Sequence, residues 1–232
     1  MLDVLRASTT IVTALAHGAA RVRPVRTLEE ARAAASRHTA LLGGERGGNR
    51  IDGFDLGNSP LEYTPERIRG RAIVITTTNG TAALHACRDA VEVLIGAIVN
   101  RSAVATQARL LAEEHGDCDI HLVCAGTDGE VTAEDLLGAG AILDAAAALP
   151  DAVDDSLDGA ARAARDRYRA TVAGGDAAAM LCRALPATIG GRNLVAIGMQ
   201  ADLPAAAAID SFVVVPRLDR ATGWLVAGMS GG

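Results

Sequence analysis

The stretch Ala72-Ile-Val-Ile-Thr-Thr-Thr-Asn-Gly-Thr81 decides the fold class. Ala72 to Ile75 is a short apolar run rich in β-branched residues and reads as a buried strand. Thr76 to Thr81 is a polar turn, and a short helix follows over 82–87. Strand, polar turn, helix is the repeating unit of α/β proteins, which place their sites at the ends of strands. The alternation continues outward in both directions. Upstream, strands are predicted over 22–25 and 40–43. Between them Thr27-Leu-Glu-Glu30 is a capping box, opening a helix that runs to about His38. A helix is predicted over 9–20, with Ser8 as its cap. Downstream, strands over 91–95 and 120–124 flank a helix over 102–115, with Leu110 and Leu111 on its inner face. Thr132 opens a further helix to about Leu149.

Beyond Pro150 the character changes. Asp151, Asp154, Asp155 and Asp158 form an acidic connector, and an Arg/Ala-rich helix and a second one ending near Pro186 follow. Arg162, Arg165 and Arg169 read as a solvated helix face. Strands are predicted over 212–215 and 224–226. The expected organisation is one domain over 1–232, with 151–190 as a helical insertion or cap and helices covering both faces of the sheet.

Composition narrows the function. The chain has 232 residues, a net charge of −6 and only 2% aromatic residues. An acidic surface without stacking platforms argues against nucleic-acid binding. All 22 basic residues are Arg. The absence of Lys excludes Schiff-base chemistry, pyridoxal phosphate enzymes and the lysine-dependent P-loop. The four Cys, at 87, 118, 124 and 182, match neither a zinc site nor a disulfide framework, so reduced thiols in a cytoplasmic protein are expected. No apolar run approaches a membrane span.

Five polar clusters could carry chemistry. Asp3-Val-Leu-Arg-Ala-Ser-Thr-Thr10 places Asp3, Arg6, Ser8 and Thr9 ahead of or within a helix start, either as an anion site or as a capped helix. Gly44-Glu45-Arg46-Gly47-Gly48 offers an arginine fork on a permissive backbone, or a solvated ion pair on a turn. Asn58-Ser59-Pro60 ends a Gly-rich stretch over 44–60 and suggests a turn bonded by its own side chains. Thr78, Asn79, Gly80 and Thr81 lie between a strand and a helix and could cradle an oxyanion. Cys124 ends an apolar strand and is either inert or lines a site. Glu134 and Asp135, in a first helical turn, either complement the helix dipole or supply hard oxygen ligands for Mg²⁺.

Taken in order, these clusters resemble the 2-phosphosulfolactate phosphatase family. The matching segments are Asp3 to Thr10, Gly44-Glu45-Arg46, Gly53 to Pro60, Thr76 to Thr81, Cys124-Ala-Gly126 and Glu134-Asp135, with Val214-Val215-Pro216 near the end. The resemblance implies a layered α/β/α fold with a mixed sheet. It implies a Mg²⁺-dependent hydrolase that converts (2R)-2-phospho-3-sulfolactate to 3-sulfolactate and phosphate, a step toward coenzyme M. Family members carry an apolar strand just before the first cluster, whereas this sequence opens at Met1-Leu2. On this reading Asp3, Glu134 and Asp135 hold the metal, and Arg6 and Arg46 clamp the substrate anions. Ser8, Thr9, Asn58, Ser59, Thr78, Asn79, Gly80 and Thr81 contact substrate. Asp3, Arg6, Glu45, Cys124 and Asp135 act in catalysis, with Glu45 or Asp55 as the general acid. The partner is a small anionic phosphate ester, and a homodimer is expected. Another phosphatase on the same scaffold and a non-catalytic anion-binding protein are the alternatives.

Overall fold

The computed structural model describes residues 1–116, 118–150 and 156–228. Six strands form one sheet: β1 (Arg21–Pro24), β2 (Leu41–Arg46), β3 (Asn49–Arg50), β4 (Ala72–Thr76), β5 (Val215–Asp219) and β6 (Trp224–Gly228). Their order is β3-β2-β4-β1-β6-β5. β4 runs parallel to both β1 and β2, whereas β3 and β6 pair antiparallel, so the sheet is mixed. The register sets Gly44 against Thr76 and Pro24 against Ile75. The carboxyl ends of β1, β2 and β4 therefore open on one side, and the chain leaves them at Arg26, Arg46 and Thr77.

Strand alternation sorts β4 between two cores. Ile73 and Ile75 face α1 (Ala7–Ala16), packing with Ile11, Val12 and Leu15. Val74 faces the other way, toward Ala31 and Ala35 of α2 (Leu28–His38) and toward Trp224. The capping box of α2 is present in both its bonds, Glu30 amide to Thr27 Oγ1 and Thr27 amide to Glu30 Oε2, each 3.1 Å. Two short helices, α3 (Pro65–Ile68) and α4 (Gly80–Ala86), flank β4 in sequence. The longer α5 (Arg101–Glu114), α6 (Ala133–Ala147) and α7 (Gly159–Val172) are followed by α8 (Ala177–Ala184), α9 (Ile189–Ala196) and α10 (Asp202–Ala207). Val4 and Ile98 share a core with Leu137, Tyr168, Leu181, Leu194 and Leu203, so the N-terminal loop is built into this helical body.

Several expectations are corrected. The 91–95 and 120–124 segments pair only through single bridges, Leu94 with Arg217 and Leu2 with Cys124. Val91 and Ile120 are exposed, although Val93 and Ile95 are buried in one core and Leu94 packs against another. Leu2 lies between the two segments. Its amide donates to Val123 O, the Ala125 amide donates to Leu2 O, and Gly96 donates to Met1 O. This pairing positions Asp3, the task the family pattern gives to a preceding strand. The helix predicted over 9–20 starts at Ala7, so Ser8 lies inside it. β2 extends into the Gly-rich stretch and turns back at Gly47-Gly48 to form β3. Leu110 is exposed while Leu111 is buried, and the strand predicted from 212 begins at Val215. Arg165 is buried with Ala164 and Tyr168 on the inner face of α7. Asp158 caps α7 through the Ala161 amide; Asp151, Asp154 and Asp155 lie outside the described residues.

Candidate active site

The site begins at Asp3, where the paired residue Leu2 gives way to a tight loop into α1. Asp3 Oδ1 accepts the Ala7 amide at 3.2 Å, and its own amide donates to Ser8 Oγ at 2.8 Å. Thr9 Oγ1 donates to Val4 O, and Thr10 Oγ1 donates to Asn58 O. Ser8 and Thr9 are buried and spend their hydroxyls on the loop itself. They shape the backbone that presents Asp3, which differs from the substrate contacts expected of them.

Glu134 and Asp135 come from the first turn of α6, and both are 2% exposed. Asp135 accepts the Val4 amide and the Gly126 amide, each at 2.8 Å, and so ties residues 3–5 to the turn after Cys124. Glu134 Oε1 accepts the Gly190 amide at 3.0 Å, while its Oε2 is buried with no hydrogen-bond partner among the described residues. A side chain at Gly190 would collide with Glu134 Oε1, so α9 approaches this close only with glycine there. Gly80 has the same function for α4: a Cβ there would lie 2.6 Å from Asp3 Oδ2 and from Ala7 Cβ.

Burial and mutual repulsion set the electrostatics. Burial, reinforced by the charges of Asp135, Glu45 and Glu134, pushes the Asp3 carboxyl up to about 8. Burial raises Asp135 to about 6, with Glu134 adding, against the pull of the Val4 and Gly126 amides. Burial also pushes the Cys124 thiol up to about 11, and Asp135 adds to the rise. The buried carboxylates are thus crowded, and the crowding favours proton uptake or a cation.

At the ends of β2 and β4 the chemistry reverses. Glu45 bridges two turns, its Oε2 accepting the Gly48 amide and its Oε1 the Thr78 amide, each at 2.7 Å. Arg46 donates to Glu45 O, to Arg26 O and to Thr76 Oγ1 at 2.9 Å. These bonds fix its guanidinium at a cleft of about 220 Å³ lined by Arg26, Arg46, Thr77, Thr78, Thr81 and Ala82. Thr78 is exposed and Asn79 half-buried at the mouth of α4, where Asn79 makes no capping bond. Of the two general-acid candidates, only Glu45 joins this cluster. Asp55 is exposed and accepts the Leu42 amide, at the other end of β2.

Arg6 is more committed than its motif suggested. It donates to Asp202 Oδ2 at 2.8 Å and to Gly48 O at 2.7 Å, and both side chains of the ion pair are buried. Ser59 Oγ donates to the other oxygen of Asp202 at 2.5 Å. Asp202, at the start of α10, therefore holds the first and third clusters together. Asn58 is buried, and among the described residues its Oδ1 has no hydrogen-bond partner. All five clusters join in one network, through Asp135 to Val4, Arg6 to Gly48, Thr10 to Asn58 and Glu45 to Thr78.

Asp202, Gly190 and Arg26 are the site residues that sequence reasoning missed. Asp202 sits in an Ala-rich segment and Gly190 in a Gly-Gly pair, where no spacing marks either. Arg26 adjoins the capping box, which absorbed attention as a helix signal.

Among the described residues no three His, Cys, Asp or Glu side chains form a ready-made metal cage, so the expected Asp3, Glu134 and Asp135 set is not a closed three-ligand site. Asp135 has both oxygens engaged by amides. Mg²⁺ needs no such cage, because it keeps several waters and takes one or two carboxylates plus substrate phosphate. The partnerless Glu134 Oε2 and the second oxygen of Asp3 fit that demand.

A family model described as 2-phosphosulpholactate phosphatase matches residues 1–221. A probable 2-phosphosulfolactate phosphatase of Caldanaerobacter subterraneus subsp. tengcongensis is 39% identical over 221 residues, covering 94% of this chain and 86% of the relative. One from Deinococcus radiodurans is 42% identical over 222 residues, with the same two coverages. One from Gloeobacter violaceus is 40% identical over 232 residues, covering 99% of this chain and 91% of the relative. The order of the clusters, their convergence and these full-length likenesses agree: the chain belongs to the 2-phosphosulfolactate phosphatase family.

Proposed function

We propose that this protein hydrolyses the phosphate monoester of 2-phospho-3-sulfolactate, releasing 3-sulfolactate and phosphate, with Mg²⁺ as cofactor. The observation that carries the reading is the meeting, beside the carboxyl ends of β2 and β4, of buried carboxylates on Asp3, Glu134 and Asp135 with an arginine–threonine cleft. A phosphate monoester is multiply charged, and its hydrolysis needs charge neutralisation and an aligned water more than covalent chemistry. Asp3 and Glu134 would hold Mg²⁺, which when bound polarises a phosphoryl oxygen and neutralises its charge. Asp135 acts as a positioning residue, fixing the Val4 and Gly126 amides so that Asp3 keeps its place. Glu45 holds the Thr78 turn, and Arg46 binds substrate. Arg6 is a buried strut between α10 and the Gly47-Gly48 turn.

No helix of the described residues is long and apolar enough to cross a membrane. A cytoplasmic homodimer completes the reading, and light scattering at micromolar concentration checks the dimer.

The test is phosphate release from 2-phospho-3-sulfolactate and from a panel of small phosphate esters, with Mg²⁺ and with EDTA. Turnover of the first ester in Mg²⁺, abolished by EDTA, is the expected result. Turnover of a different ester alone would move the assignment to another phosphatase activity. Binding without turnover would favour a non-catalytic anion-binding protein.

A further inference from the structure

The cleft at the ends of β1, β2 and β4 has a composition unlike the rest of the site. Its lining contains two guanidinium groups and three threonine hydroxyls, and no carboxylate. Arg46 is fixed by its three acceptors, Glu45 O, Arg26 O and Thr76 Oγ1. The Arg26 side chain differs. It is exposed, and among the described residues its guanidinium makes no hydrogen bond or ion pair. A positive fork without a partner, next to a second one held in place, is suited to an anion with several oxygens.

The cleft can bind but not react. No carboxylate, histidine or thiol lines it, and Glu45, which touches it through Thr78, has both oxygens taken by the Gly48 amide and by the Thr78 amide and hydroxyl. The Asp3 carboxylate lies on the other side of Gly80, where a Cβ would come within 2.6 Å of Asp3 Oδ2, while the next residue, Thr81, lines the cleft. Consecutive residues of α4 thus touch the two chemistries, Gly80 the carboxylate and Thr81 the cleft.

We propose that Arg26, with Arg46, forms a subsite for the sulfonate of the substrate, the anion that is not transferred, and so makes the enzyme selective for phosphate esters that carry one. The inference rests on the proposed phosphatase reading and deepens it. Arg26 is then a specificity-determining residue that no motif in the chain marks.

The test compares two esters on the wild type and on Arg26→Gln and Arg26→Lys. One ester is 2-phospho-3-sulfolactate. The other is 2-phospholactate, which keeps the phosphate ester and carboxylate but has a methyl group in place of the sulfonate-bearing carbon. For Arg26→Gln, kcat/KM on the sulfonate ester is expected to fall roughly 10- to 150-fold, the scale of one charge-assisted contact. On 2-phospholactate it should change by less than about threefold, and Arg26→Lys should recover part of the loss. Because Arg26 is exposed, melting temperature should be unaffected. Equal losses on both esters, or no loss on either, would overturn the subsite. In parallel, 3-sulfolactate is titrated by calorimetry into metal-free wild type and Arg26→Gln. If neither ester is turned over but 3-sulfolactate binds through Arg26, the hydrolase reading fails and the subsite stands. If esters are hydrolysed and 3-sulfolactate binds both proteins equally, the subsite fails and the hydrolase reading stands.

Discussion

The two halves of the site are built on opposite principles. The acidic half is buried, and it is assembled from residues more than a hundred positions apart, Asp3 against Glu134 and Asp135. Backbone amides hold it in place, and burial with repulsion works against its charge. The basic half is open to solvent and comes from the ends of three neighbouring strands, with Arg46 braced and the Arg26 side chain without a partner among the described residues. The acidic half stores unfavourable electrostatics that a bound cation would relieve. The basic half stores little, and its strength depends on desolvation by the substrate. A substitution should therefore have a different signature in each half.

The largest effect is expected on the acidic side. On the proposed reading Asp3→Asn removes one negative oxygen ligand, and kcat/KM should fall on the order of 10²- to 10³-fold. Raising Mg²⁺ should recover part of the rate, because the loss is in cation affinity. Rate measured against Mg²⁺ concentration checks this; a deficit that Mg²⁺ cannot touch would remove Asp3 from the metal. Arg46→Ala sharpens the contrast. It removes a contact to an anion, so kcat/KM should drop roughly 10- to 150-fold, and the same Mg²⁺ titration should leave the loss in place. Rescue of Arg46→Ala by Mg²⁺ would mean that the two halves do not divide the work.

How far the sequence shows this division depends on what carries it. The strand at 72–76, the capping box at Thr27 and the first turn of α6 are local features with local signals, and each is legible. The sheet edge is less so: Leu2, Leu94 and Cys124 pair through isolated bridges that depend on one another, and none has a strand pattern that its surroundings support. Two helices near the C-terminus are concealed for different reasons: α9 has Gly190-Gly191 in its first turn, the poorest helix formers after proline, and the short α10 is Ala-rich, with helix propensity but no periodic stripe. Asp202 and Gly190 act only through distant partners, Arg6 and Glu134, and a single sequence has no signal for such pairs.

Stability against pH tests the stored repulsion without reference to activity. In the unfolded chain Asp3 titrates near 3.8, whereas in the folded protein its carboxyl is held at about 8. Below the lower value both states hold the proton, and the contribution of Asp3 to stability is fully present. As the pH rises the unfolded state releases its proton first, so stability is lost progressively until the folded group ionises near 8. Metal-free protein should therefore melt at lower temperature at about pH 8 than at about pH 5. Asp3→Asn should flatten part of that slope, and Mg²⁺ should do the same in the wild type by stabilising the ionised form. Identical slopes for wild type and Asp3→Asn in EDTA would show that the carboxylates are not in conflict.

The smallest effect is expected at Cys124, which stands beside the acidic half and tests whether that half uses covalent chemistry. A thiol attacks phosphorus as the thiolate, and nucleophilic cysteines have their pKa lowered by cationic neighbours or a helix start. Here burial and the Asp135 charge push the thiol up to about 11. At neutral pH only about one molecule in ten thousand would carry the thiolate. The backbone at this position pairs with Leu2 and so helps place Asp3, a task that does not depend on the side chain. Cys124→Ser keeps the shape and should retain kcat within about threefold, with an unchanged Mg²⁺ dependence. Activity at background in a folded Cys124→Ser protein, together with a trapped phosphocysteine in the wild type, would move the reaction from activated water to a thiol nucleophile.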